Sequence, residues 1–167
     1  VVPLGKGVKT LLYDPQNPPS FNPEGVWMKE QIKRADVVSI YTQPQEQDVF
    51  VKGKIKARLT VSSNCPDTSF YMMLGINTEN GYYGLRHDIT SMCYQRGNYK
   101  EGEKVVLEFT FDEYAFAMKK GQFLRVDIAP TDKNTYVCHS NKKGQYSSIE
   151  DCQTACNKVF LEESCLI

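Results

Sequence analysis

The strongest constraint on this chain is a period-two alternation of apolar and polar residues, which only a β-strand with two different faces can use. Ile55, Ala57, Leu59 and Val61 interleave with Lys56, Arg58, Thr60 and Ser62, the pattern of a strand with one buried and one wet face. The pattern repeats at Phe70, Met72, Leu74 and Ile76, at Val105, Leu107, Phe109 and Phe111, and at Leu124, Val126 and Ile128. Shorter apolar segments at 37–42, 49–52, 85–93, 135–139 and 158–161 predict further strands. Turn chemistry separates them: Gly53, the run Asn64-Cys65-Pro66-Asp67, Asn80-Gly81 and Lys119-Lys120-Gly121 each fall between apolar segments.

Many short strands punctuated in this way predict an all-β fold of two packed sheets. Helical signal is thin. Residues 25–35 have room for a turn or two, and 148–157 for another, with Ser148 and Asp151 spaced as a capping box. Residues 1–25 carry Pro3, Pro15, Pro18, Pro19 and Pro23, and read as an extended lead-in running over a surface. The expected division is therefore a lead-in over 1–25 and a sandwich domain over 26–167.

Composition excludes several classes of function. Twenty basic residues balance twenty acidic ones, so no electrostatic footprint for nucleic acid or an anionic membrane is present. No apolar run approaches the roughly 20 residues that span a bilayer as a helix. The six cysteines are Cys65, Cys93, Cys138, Cys152, Cys156 and Cys165. A domain of this size does not need disulfides, so free thiols and a cytoplasmic setting are expected; a secreted parent, with bridges confined to the cysteine-rich last thirty residues, is the alternative.

Catalytic chemistry is missing where it would be sought. A serine nucleophile of the α/β-hydrolase type needs a Gly-x-Ser-x-Gly turn, and Ser62, Ser63, Ser69 and Ser91 lie in or beside predicted strands instead. Cys138 and His139 are strand neighbours that point to opposite faces, and His87-Asp88 is adjacent in sequence without implying contact in space. On a helix, Cys152 and Cys156 would share one face, with His139 or Cys165 to complete a zinc set, but the second close pair of ligands is lacking. No calcium loop is present, although Asp67 and Asp132 are loop carboxylates. No catalytic residue, metal or cofactor is assigned. Tyr82, Tyr83, Tyr94 and Tyr99 near turns read chiefly as rings covering the ends of the core. Trp27, the only tryptophan, lies beside Val26 and Met28 in an apolar loop suited to packing on a partner or rimming a pocket.

Several motifs carry a family likeness. Tyr13-Asp14-Pro15-Gln16-Asn17-Pro18-Pro19 resembles the Tyr-Asp-Pro-x-Asn-Pro opening of the C-terminal domain shared by X-prolyl dipeptidyl peptidases and cocaine-esterase-like (CocE/NonD) acyl hydrolases. Asp36 to Thr42, Gly53 to Leu59 with Val61-Ser62-Ser63, Pro66-Asp67-Thr68-Ser69-Phe70, and Lys119 to Val126 are similar to later motifs of that domain, in the same order. Ser69 stands where the family has a second aspartate, Gln122 where it has a histidine, and the thiols between Cys138 and Cys165 are unusual for it.

The resemblance implies a jelly-roll β-sandwich of the galactose-binding-like type. It also implies a parent serine hydrolase whose triad lies in an upstream α/β-hydrolase domain of the same polypeptide, which would be this chain's partner and the route to any homo-oligomer. In that setting the domain would stabilise the catalytic domain and border its active-site cleft through the segment 13–28, with Tyr13, Asp14, Asn17, Trp27 and Met28 as interface or pocket-rim residues. The alternative is a carbohydrate-binding module on the same fold.

Overall fold

The computed structural model describes residues 1–29, 32–144 and 151–167. Its strands are β1 (Val2–Pro3), β2 (Val8–Tyr13), β3 (Trp27–Met28), β4 (Val38–Tyr41), β5 (Val49–Gly53), β6 (Lys56–Ser63), β7 (Ser69–Thr78), β8 (Gly81–Ser91), β9 (Val105–Thr110), β10 (Tyr114–Met118), β11 (Phe123–Ala129), β12 (Ala155–Phe160) and β13 (Cys165–Leu166). A short helix, α1 (Met92–Arg96), follows β8, its first turn capped by the Ser91 side chain, which accepts from the Tyr94 N–H.

Two antiparallel sheets face each other. In the first, β6 is central: β9 lines one side, while β12 and β13 lie end to end along the other, joined through a 3-10 turn at Leu161–Glu163. Strands β2 and β1 pair in turn with β12 and β13. The second sheet has the order β3-β8-β7-β11-β4, and a separate ribbon of β5 and β10 closes one end. Ala57, Leu59 and Val61 of β6, Leu107 and Phe109 of β9, Phe70, Met72 and Leu74 of β7, and Val126 and Ile128 of β11 fill the space between the sheets. The alternating residues of the sequence form this core, and the fold is the expected all-β sandwich.

The wet face inferred for the alternating strands holds only in part even on the first sheet, where Lys56 and Arg58 are exposed but Thr60 and Ser62 are buried. The outer face of the second sheet carries its own buried cluster of Phe21, Met28, Tyr71, Met73, Tyr82 and Ala129, so the whole of Ser69–Ile76 is buried. Chain from the supposed lead-in provides part of the cover. Asp132 accepts the Phe21 N–H at 2.9 Å, Asn134 donates to the Phe21 carbonyl at 2.9 Å, and the Lys133 N–H reaches the Pro19 carbonyl. Residues 1–25 therefore do not stand outside the sandwich. Strand β2 completes an edge of the first sheet, with Leu11 and Tyr13 buried, and Phe21 roofs the second.

Other local expectations also change. Residues 135–139 form a turn and irregular chain, because Asp132 fixes the turn by accepting from Thr135 and Asn134. Ser148, half of the expected capping box, lies outside the described residues. From Ala155 onward the expected helix is a strand: Ala155, Asn157 and Val159 point inward, and ladders to β2 and β6 take its backbone polar groups. Within 25–35, Trp27–Met28 is likewise a strand, paired with β8, and Glu30 and Gln31 lie outside the described residues.

Candidate functional site

The β7–β8 hairpin borders several of the molecule's open clefts. Its two-residue loop, Glu79–Asn80, is closed by the Thr78 hydroxyl, which donates to the Gly81 carbonyl and accepts from the Asn80 N–H. Gly81 has a φ of +119°, and a Cβ there would sit 2.4 Å from the Met28 carbonyl oxygen, so only glycine lets β3 approach so closely. A register shift between Leu74 and Gly75 leaves Leu85 as the extra residue of a bulge.

Three clefts surround this hairpin. On the outer face of the second sheet, Met28, Tyr41, Asn77, Tyr82, Phe123 and Arg125 line a cleft of about 700 Å³. Across the hairpin, Trp27, Thr78, Asn80, Lys119, Gln122 and Phe123 line another of about 670 Å³. Trp27 also borders a third, of about 430 Å³, with Tyr83, Leu85, Tyr114 and Phe116. Volumes of this size suit small organic ligands or a protruding side chain.

Trp27 and Met28 are successive strand residues, so they diverge to opposite sides of the sheet. Met28 is buried against the outer-face cluster. Trp27 is 52% exposed and packs on Tyr83 with ring centroids 5.0 Å apart. Behind it, the Glu24 carboxylate accepts from the His87 N–H at 2.8 Å and from Arg86 at 3.0 Å, and the Gly25 N–H donates to the Gly84 carbonyl. The Arg86 guanidinium lies 4.0 Å above the Tyr114 ring. These contacts hold the Trp27 segment on the sheet while its ring faces solvent.

The five rim candidates separate on exposure. Asp14 and Asn17 are exposed and form a turn, in which the Asn17 N–H donates to the Asp14 carbonyl and the Asp14 carboxylate accepts from the Gln16 N–H. Tyr13 is buried beside Cys65 and Ala155, and burial drives its hydroxyl far above the ordinary range. Tyr13 is therefore spent inside the domain. Trp27, Asp14 and Asn17 are exposed, and Met28 is buried as a wall of the outer-face cleft.

The titratable side chains weighed for catalysis are engaged in contacts within the domain. His139 Nε2 lies 3.3 Å from Asp67 Oδ2, and its Nδ1 accepts from the Asn141 N–H, so its ring bridges two loops. Asp67 also accepts from the N–H groups of Thr68 and Cys93, at 2.9 Å each. Burial pushes its carboxyl up, but His139 and these N–H donors outweigh it and hold the group below the usual carboxylate range. His87 turns to Glu24, whereas Asp88 accepts from Ile89 and Thr110, so the sequence neighbours do not act together. Ser69 donates to the Pro130 carbonyl, and burial raises the Cys65 and Cys93 thiols above their ordinary values, the reverse of activation. Among the described residues no group of three or more His, Cys, Asp and Glu side chains could hold a metal ion. Cys156 lies on β12, so the helical face once offered for zinc does not form there. No helix among the described residues is long and apolar enough to cross a membrane.

Sequence reasoning missed Arg125. On a strand of alternating apolar residues it reads as a solvent-facing charge, yet it is 2% exposed and paired with the fully buried Asp127 at 2.9 Å. Its guanidinium lies 4.3 Å from the Tyr82 ring. The usable signal was its spacing to Asp127, since residues two apart on a strand share a face.

No protein-family model matches the sequence, and no curated protein matches it. Solved structures do. An aminopeptidase from the marine sediment archaeon Thaumarchaeota archaeon superposes with a TM-score of 0.84 at 13% identity, over 99% of this chain and 33% of its own. An α-amino acid ester hydrolase gives 0.82 at 16% identity, over 96% of this chain and 32% of its own. A CocE/NonD family hydrolase from Staphylococcus aureus gives 0.62 at 11% identity, over 99% and 33%. The chain thus spans about a third of the length of these hydrolases and shares the fold of that third.

Proposed function

We propose that this chain is the accessory C-terminal β-sandwich domain, a jelly roll of galactose-binding-like type, of an α/β-hydrolase-type serine hydrolase of the X-Pro dipeptidyl peptidase or acyl esterase class. In that enzyme it stabilises the catalytic domain and borders the active-site cleft, and it supplies no nucleophile. The observation that carries this reading is one of proportion: nearly all of this chain aligns with a third of each of several hydrolases. The ordered motifs from Tyr13 to Val126 support the same family, and the engagement of His87, His139 and Asp67 in structural contacts supports an accessory role.

The surface best suited to meet a catalytic domain is the exposed Trp27 with Val26, flanked by Tyr83 and the clefts on either side of the β7–β8 hairpin. An exposed aromatic ring held on a rigid strand loses little entropy when it is covered, which is the profile of an interface anchor. In the parent enzyme, Trp27→Ala should lower kcat/KM roughly tenfold, the worth of one well-packed aromatic contact. An unchanged kcat/KM in a folded variant would remove Trp27 from the cleft border. Turnover of a nitrophenyl ester by this chain alone would overturn the accessory reading altogether.

A further inference from the structure

We propose that the cleft between β4, β11 and the β7–β8 hairpin binds a small carboxylate with an aromatic or apolar body, and that Arg125 anchors its anionic end. This inference does not depend on the hydrolase reading. It begins with an incompletely used buried cation. A guanidinium has five N–H donors in a fixed plane, and a buried one needs acceptors for them. Asp127 Oδ1 takes Nε at 2.9 Å, and Ser39 Oγ stands 3.4 Å from Nη2, which is long for a hydrogen bond. No acceptor for Nη1 occurs among the described residues. The Ser39 hydroxyl donates to the same Asp127 oxygen that Nε uses, so the Arg125–Asp127 contact is single and not a fork.

The walls complement that floor. The Tyr82 ring lies against one side of the guanidinium, and the Tyr41 ring centroid is 6.0 Å from Arg125 Cζ. Tyr41, 43% exposed, meets Phe123 edge to face at 5.7 Å, and Met28 completes an apolar side. At the mouth, Lys29 and Glu79 offset each other in charge. Selection therefore rests on directional N–H groups more than on a diffuse field. A carboxylate, planar and with two acceptor oxygens, matches the remaining donors of the fork, and its apolar body meets the rings.

The test is a titration of the 167-residue chain with sodium benzoate, followed by ¹⁵N-resolved NMR that includes the arginine Nε–H signals. Benzamide, of the same shape without charge, and a methyl glycoside serve as competitors in class. Saturable benzoate shifts are expected at the Arg125 side chain, Tyr41 and Phe123. Tyr41→Ala, at a half-exposed position, should weaken binding about tenfold without unfolding the sandwich. Arg125→Lys, if it folds, should lose binding despite keeping the charge. Equal affinity for benzamide, preference for the glycoside, unchanged binding in Tyr41→Ala, or the absence of saturable shifts would each overturn the proposal.

Discussion

The Tyr82 ring occupies the space that a side chain at Gly75 would fill: a Cβ there would lie 2.1 Å from Tyr82 Cε2 and 2.5 Å from the Tyr83 carbonyl oxygen. Because Arg125 is paired opposite Gly75 and lies over the Tyr82 ring, the missing side chain permits the whole stack. Gly75→Ala should destabilise the fold by about 2–3 kcal/mol through overpacking beside rigid backbone. Denaturant unfolding measures this, and Tyr82→Ala in the same chain should restore only part of the loss, because the Tyr83 carbonyl remains in the way.

The edge of β9 is protected by a side chain that imitates a strand. Gln95 Nε2 donates to the Glu108 carbonyl at 2.6 Å, and Gln95 Oε1 accepts from the Glu108 N–H at 2.7 Å. An open edge offers such groups to another chain. Gln95→Ala should cost about 1 kcal/mol, as these bonds are solvent-exposed. Its clearer effect should be concentration-dependent self-association in light scattering, with Gln95→Glu intermediate because it keeps one acceptor and loses the donor.

Asp67 gives stability a defined acid dependence. It is ionised and hydrogen-bonded in the fold, and its carboxyl is held below its ordinary value although burial acts in the opposite sense. A depressed folded value means that the unfolded chain binds the proton more readily. The contribution is therefore present above the unfolded value of about 3.8 and is lost as pH falls through the lower folded value. Asp67→Asn should cost about 1.5–3 kcal/mol at neutral pH, the range for hydrogen bonds to a charged group. The stability difference between the two proteins should begin to shrink as pH falls below about 4 and should close only beneath the lower folded value, and a constant difference across that window would assign the loss to shape and not to charge.

What the sequence made legible follows from how each element is stabilised. β6, β7, β9 and β11 each carry an apolar residue at every second position because each contributes one face to the core between the sheets, while in β7 the intervening Tyr71 and Met73 are apolar too because a second layer covers them. β12 was legible only in its second half, as the apolar segment 158–161, because its first half is held by its ladders to β2 and β6 more than by propensity, so a stretch with helical spacing is drawn into a sheet. β2 was hidden by its proline-rich surroundings and by Leu12, which is 60% exposed and breaks the alternation of Leu11 and Tyr13. Trp27 was legible as an exposed ring, though its segment is a strand paired with β8 and not the loop expected. Arg125 was not, because a charge on a strand reads as solvent-facing until the second layer over that sheet is known.

That second layer leads to the last prediction. Asp132 Oδ1 accepts from the N–H groups of Phe21 and Asn134, and Oδ2 accepts from the Thr135 hydroxyl at 2.7 Å. One carboxylate thus fixes its own turn and pins the proline-rich segment over Tyr71, whose ring centroid is 4.9 Å from that of Phe21. Asp132→Ala removes these acceptors together and leaves the buried Phe21 N–H unsatisfied, at a cost of about 2–4 kcal/mol. The loss should be local before it is global. Hydrogen exchange at residues 19–24 should speed up well ahead of exchange in β7 and β11, whose ladders do not depend on Asp132. Uniform acceleration across the sandwich would mean that the cover and the core open as one unit. Asp132→Asn, which keeps an acceptor oxygen in place, should recover most of the protection at Phe21.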